Sequence, residues 1–246
     1  MGKTYGMIAG SGRFPFFLLE EMAKQGDRCV VAGIKGEADQ AIVETAEIFE
    51  VFSIAQIEDM IAFFHSFDIR EAFFAGKIEH KQIYRKETLD SGLFLKSWVK
   101  DRSPAALIQT VIDLLAENGI EIINPSSMLL SAICKEGLLS KAEPHEAMMK
   151  DIKFGWIKAK HLADNDIGQT IIVKDLAVVA VEGMEGTDKT IQRGGELAGK
   201  GTVVVKVCRT HQDNRIDLPA VGLTTIQSLV DAESSALCIE ADSMPF

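Results

Sequence analysis

The sequence predicts an α/β protein, with a parallel sheet flanked by helices in its first half and a mixed α/β arrangement in its second. Three observations lead there. Short apolar runs alternate with helix-period segments from the N-terminus to about residue 78, in the order βαβαβ. A largely helical middle then gives way to a second group of strands with a different pattern. A chain of 246 residues, 47% hydrophobic and 25% charged, has ordinary globular composition and suffices for one large domain or two modest ones.

The elements follow in order. "TYGMIAG" reads as a strand and "FPFFLLEEMAKQG" as a helix, with Pro15 near its first turn and Gly26 at its end. "RCVVAGI" and "EIFEVF" are the next strands. "IEDMIAFFHSF" carries apolar residues at helical spacing, and "EAFFAGKI" is the fourth strand. Ser103-Pro104 is a cap and first-turn pair for a helix through "AALIQTVIDLLAENG". There Leu107, Ile108, Val111, Ile112, Leu114 and Leu115 form one stripe, and Asn118-Gly119 ends it. "IEIINPS" is a short strand. A boundary falls between about 130 and 165, where "KEGLLSKAEPHEAMMKD" mixes glycine, proline and charge; it divides the chain into residues 1–140 and 141–246. Beyond it, "TIIVKDLAVVAVEG" predicts two strands turning near Lys174-Asp175. A helix after "GTDK", the strand "GTVVVKVC", the loop "RTHQDNRIDLPAVG", a helix from Thr224 and the strand "SALCIEA" complete the chain.

Composition excludes several function classes. A net charge of −10 argues against a nucleic-acid binder, which needs basic surface to displace counterions. No apolar run reaches the roughly 20 residues of a membrane span, and no signal-peptide or myristoylation pattern opens the chain. Cys29, Cys134, Cys208 and Cys238 are widely spaced without a C-x-x-C pair, which reads as reduced buried thiols in a reducing compartment. His145-Glu146 is followed by Met149 where H-E-x-x-H needs a histidine, so no zinc site is expected. One stretch runs against the acidic trend: Lys77 to Arg102 carries seven basic and four acidic residues. It reads either as a solvated helix face or as a patch for phosphates and anionic headgroups.

"IAGSGRFP" resembles a nucleotide-binding turn, but Pro15 stands at the third glycine of a dinucleotide fingerprint. The first carboxylates after the second strand, Glu37 and Asp39, come too late for a ribose ligand, which disfavours an NAD enzyme. The absence of G-K-[ST] excludes a P-loop. Gly10 and Gly12 still allow close backbone approach beside a helix start, so the loop either takes a phosphate or polar group or is a tight turn alone. In the second half, "VEGMEGTDKT" supplies Glu182, Glu185, Thr187 and Asp188, and "NRIDLPAVG" supplies Arg215 and Asp217. Hard oxygen donors of this kind suit Mg²⁺, which neutralises phosphate charge and acidifies water. Helix caps and surface pairs are the competing reading of the same residues.

The segments "GMIAGSGRFP", "FAGKI", "DIGQTIIV", "AVEGMEGTD" and "RIDLPAVGLTTI", in that order, resemble the UDP-2,3-diacylglucosamine pyrophosphatases of lipid A biosynthesis. The branch they match is the Mg-dependent one found where the calcineurin-like enzyme is absent, long known only as a domain of unknown function. The resemblance implies a Rossmann-like N-terminal domain, a C-terminal α/β domain and an active site between them. It implies Mg²⁺-dependent hydrolysis of a lipid-linked UDP-sugar to UMP and 2,3-diacylglucosamine 1-phosphate, by water attack on the α-phosphorus. It places Asp217 on the family's essential acidic position, Gly10, Ser11 and Gly12 on its glycine loop, and Glu182, Thr187 and Asp188 on its E-G-x-x-G-T-D segment. Gln169 and Lys206 fall on further polar positions. The implied roles are catalysis for Asp217, Lys206 and Arg215, metal binding for Asp217, Glu182 and Asp188, and substrate binding for Gly10, Ser11, Gly12, Gln169 and Thr187. The implied location is cytoplasmic and peripheral to the inner membrane, with room for a homo-oligomer. "GLFLKSWV" at 92–99 is a candidate acyl or membrane contact, or else core. A nucleotide-sugar sensor that binds without hydrolysis is the alternative, distinguished by binding without release of UMP.

Overall fold

The computed structural model describes residues 2–78, 104–129, 131–216 and 218–246. The chain forms two compact units, Met1–Leu129 and Leu130–Phe246.

The first unit is built on a five-stranded sheet, β1 (Thr4–Ala9), β2 (Arg28–Ile34), β3 (Ile48–Phe52), β4 (Glu71–Ala75) and β5 (Glu121–Ile122). Its order is β3-β2-β1-β4-β5 and every pairing is parallel. This is the order of a doubly wound sheet, with its switch point between β1 and β4. The central strands are buried from Met7 to Ala9 and Val30 to Ala32, as expected of strands covered on both faces. Helix α1 (Phe14–Gln25) has proline in its first turn and closes on Gly26 at φ 77°. Helix α2 (Ile57–Ser66) buries Ile57, Met60, Ile61 and Phe64, the i, i+3, i+4, i+7 face, and has Glu58 and Asp59 at its positive end. Helix α3 (Pro104–Glu117) buries Ile112 and Leu115 and stops before Gly119.

The second unit has a four-stranded sheet in the order β7-β6-β8-β9, formed by β6 (Thr170–Lys174), β7 (Ala177–Val181), β8 (Val203–Lys206) and β9 (Ala236–Ile239). Only β8 and β9 are parallel; β6 runs against β7 and β8. Helix α4 (Glu146–Asp164) covers one face over Ile171, Val173, Val203 and Val205. Helices α5 (Thr187–Ala198) and α6 (Leu223–Asp231) cover the other, over Ile172 and Val204. Successive strand residues thus point to opposite cores, which is why β6 and β8 are apolar without alternation.

Helix α4 lies where composition suggested only a boundary segment. Its buried line is Asp151, Gly155, Ala159 and Ala163, one residue every four. Small residues on that line bring the helix close to the sheet: a Cβ at Gly155 would sit 2.9 Å from Val205 Cγ2. The Asp151 carboxylate accepts from the amides of Asp175 and Leu176 at 3.0 and 2.7 Å. These two residues form the β6–β7 turn at φ 49° and 60°, without a glycine. Residues 79–103, which hold "GLFLKSWV" and most of the basic stretch, lie outside the described residues.

Candidate active site

In the first unit, the turn after β1 meets the turn after β4. Gly10 N donates to Ala75 O at 2.8 Å, Ser11 N to Lys77 O at 2.7 Å, and Lys77 N to Ser11 O at 3.0 Å. The Ser11 hydroxyl also donates to Lys77 O. A Cβ at Gly10 would lie 2.3 Å from that carbonyl oxygen, and one at Gly76 would lie 2.5 Å from Ser11 O. Gly10 and Gly76 therefore share a cause in mutual backbone approach at the switch point. Gly12 differs: it has φ 97° and nothing within 4 Å of a Cβ, so its side faces open space beside the start of α1.

The polar residues of the second unit gather at one end of its sheet. Register pairs Thr170 with Lys206 and Ile171 with Val181, so the start of β6 and the ends of β7 and β8 lie together. Two backbone bonds extend that pairing, Glu182 N to Thr170 O and Val207 N to Gln169 O, both at 2.9 Å. Gly168 makes room for the bend, since a Cβ there would stand 2.1 Å from Glu182 O. Helix α5 begins at the same end with Thr187 and Asp188.

Lys206 is only 8% exposed. Its ammonium donates to Thr187 Oγ1 at 2.7 Å. An ammonium has no lone pair, so the threonine accepts, and its own proton goes to Glu182 Oε1 at 2.8 Å. The second lone pair of Thr187 faces Thr170 Oγ1 at 3.4 Å, with Thr170 as donor. Glu182 Oε2 accepts from Gln169 N at 3.3 Å. Lys206, Thr187 and Glu182 thus form one directed chain from cation to carboxylate. Asp188 Oδ1 accepts from Thr225 Oγ1 at 2.8 Å, joining the first turns of α5 and α6.

The other candidates separate by partner. Glu185 pairs with Arg193 at 2.6 Å, and its own backbone N–H and that guanidinium hold its carboxyl below the usual range. Arg215 donates to Asp213 through Nε at 3.0 Å and Nη2 at 2.8 Å, which holds the Asp213 carboxyl low. Gln169 Nε2 donates to Gln212 Oε1 at 3.1 Å. Asp213 and Gln212 are partners that sequence reasoning missed; nothing in "HQDNR" distinguishes them from loop polarity. Asp217 lies outside the described residues.

Mg²⁺ asks for one or two carboxylates and completes its shell with water and phosphate oxygens. Glu182, just past β7, and Asp188, in the first turn of α5, are hard oxygen donors of that class, so the donor chemistry fits. No group of three or more His, Cys, Asp or Glu that could hold a metal occurs among the described residues. Among those residues, no helix is long and apolar enough to cross a membrane.

Comparison with known proteins places these observations in a family. The LpxI N-terminal domain matches residues 4–132 and the LpxI C-terminal domain matches residues 135–246. The UDP-2,3-diacylglucosamine pyrophosphatase LpxI of Caulobacter vibrioides is 27% identical over 259 residues, covering 97% of this chain and 89% of that protein. A solved structure, the biotin carboxylase domain dimer of Hydrogenobacter thermophilus 2-oxoglutarate carboxylase, matches at 12% identity and a TM-score of 0.31. That match covers 94% of this chain, which spans 40% of the other. With both of its domains matched in succession, this chain belongs to the LpxI family.

Proposed function

We propose that this chain hydrolyses UDP-2,3-diacylglucosamine to UMP and 2,3-diacylglucosamine 1-phosphate, with Mg²⁺ as cofactor. The observation that carries the reading is the succession of both LpxI domains along the chain, together with the activity in the name of the Caulobacter vibrioides relative. A water oxygen bonds to the α-phosphorus, and the bond from that phosphorus to the bridging oxygen breaks. The bridging oxygen leaves with the lipid-bearing phosphate, and the water proton passes to solvent or to a carboxylate.

Mg²⁺ held by Asp217 with Glu182 or Asp188 would offset diphosphate charge and acidify water. Asp217, which follows β8 in the sequence, orients the attacking water. Lys206 supplies positive charge at a water-poor position, where it acts more strongly than at the surface. Its bond to Thr187 fixes the ammonium and aligns Glu182. Arg215, braced by Asp213, presents a second cation to the diphosphate. Gln169 and the Gly10–Gly12 turn are the proposed contacts to the nucleotide sugar. The greasy substrate also supports peripheral association with a membrane surface on the cytoplasmic side.

The test is release of UMP from UDP-2,3-diacylglucosamine with Mg²⁺ and with a chelator. UMP in the first alone supports the reading; substrate binding with no UMP in either identifies a non-hydrolytic binding protein instead.

A further inference from the structure

The segment leaving β8 is held by side chains from two other elements. Lys160, on α4, donates to both Glu240 carboxylate oxygens at 2.9 Å and to Cys208 O at 2.9 Å. Glu240, just past β9, accepts from Cys208 N at 2.8 Å. One ion pair therefore holds both the N–H and the C=O of Cys208. The pair is mostly withdrawn from solvent, at 24% and 21% exposure, so its bonds are weakly screened. One turn along α4 from Lys160, Asp164 accepts from Thr210 N at 2.6 Å and Thr210 Oγ1 at 2.7 Å. These bonds hold the Asp164 carboxyl below its ordinary range. Between the two clamps, Arg209 N donates to Gln212 Oε1 at 3.2 Å, the same oxygen that accepts from Gln169.

We propose that Lys160, Asp164 and Glu240 are positioning residues for the hydrolysis: they fix the backbone from Cys208 to Thr210, between Lys206 and the Gln212 that holds Gln169. The inference rests on the function proposed above. None of the three residues is assigned a part in the chemistry. Their effect travels through the backbone they hold, and small displacements of a catalytic group are costly in rate.

The experiment compares steady-state UMP release by the parent, Asp164→Ala, Asp164→Asn and Glu240→Gln, with melting curves for each. Asp164 is exposed and its removal leaves the core untouched, so its variants remain informative if Glu240→Gln fails to fold. Lys150→Ala, on the same helix and paired with Glu146 at the surface, is the control. We expect kcat to fall about tenfold or more in Asp164→Ala and Glu240→Gln with KM within about threefold. Asp164→Asn should recover part of the loss, because its amide oxygen still accepts one of the two bonds. An undiminished kcat in Asp164→Ala, with UMP released by the parent, overturns the positioning role alone. No UMP from the parent overturns the reaction itself.

Discussion

Thr187 Oγ1 stands 2.7 Å from Lys206 Nζ and 2.8 Å from Glu182 Oε1, so one hydroxyl links a buried cation to a carboxylate across the end of the sheet. The hydroxyl can do this only as acceptor from lysine and donor to glutamate. Removing it should leave buried polar groups poorly matched, at a cost of about 1–3 kcal/mol. Thr187→Val is therefore expected to lower stability by that amount and UMP release by about tenfold or more. Thr187→Ser, which keeps the hydroxyl, should restore most of both. Denaturant melts and initial rates on the two variants check this.

Helix α4 lies close to the sheet because Gly155 faces Val205 and Val173. Filling that space forces a rigid β-branched neighbour or the whole helix to move. Gly155→Leu should cost about 1–3 kcal/mol or more by overpacking, despite leucine's better helix propensity. The measurement is the urea midpoint. A midpoint equal to or above the parent's would show that the helix sits farther from the sheet than described.

The turn between β6 and β7 places Asp175 and Leu176 in the left-handed region, where side chains are disfavoured by about 1–2 kcal/mol per residue. The buried Asp151 carboxylate compensates by accepting from both amides. Asp151→Ala should destabilise the chain by about 1–3 kcal/mol. Asp151→Asn, with one acceptor oxygen left, should fall in between. Amide exchange at 175 and 176, accelerated in the alanine variant, would localise the effect.

How much of this was legible in the residues depends on the range of the cause. Helix α2 was readable because Ile57, Met60, Ile61 and Phe64 repeat at helical spacing within one window. The all-apolar strands "IIV" and "VVV" were readable for the same local reason. Helix α4 was not, because its buried face is Asp151, Gly155, Ala159 and Ala163, residues too small or too polar to register as a stripe. The glycine turn was readable as a turn, but its partner was not. Gly10 is explained by Lys77, a contact 67 residues away that only the parallel pairing of β1 with β4 creates. Thr187 was picked out by its motif and Lys206 through the family resemblance, yet their bond depends on a register that no local pattern encodes.

Burial pushes the Cys238 thiol up to about 11, and raises Cys29 further. A thiol whose folded pKa exceeds its unfolded one favours the folded state fully below the unfolded value of about 8.5. That advantage is lost as pH rises toward the folded value. Stability should therefore decline between about pH 8.5 and 11, and Cys238→Ala should flatten part of the slope. At pH 8, native protein should react slowly at both thiols and denatured protein quickly. Guanidinium titrations across pH and a thiol-reagent time course test the two halves of the statement.

The central claim is tested most directly by following the oxygen of the attacking water. UDP-2,3-diacylglucosamine incubated with this chain and Mg²⁺ in ¹⁸O-water should yield UMP carrying one ¹⁸O on its phosphate and an unlabelled lipid phosphate. Asp217→Asn should yield neither product. Label in the lipid phosphate, or no UMP at all from the parent chain, would contradict the account.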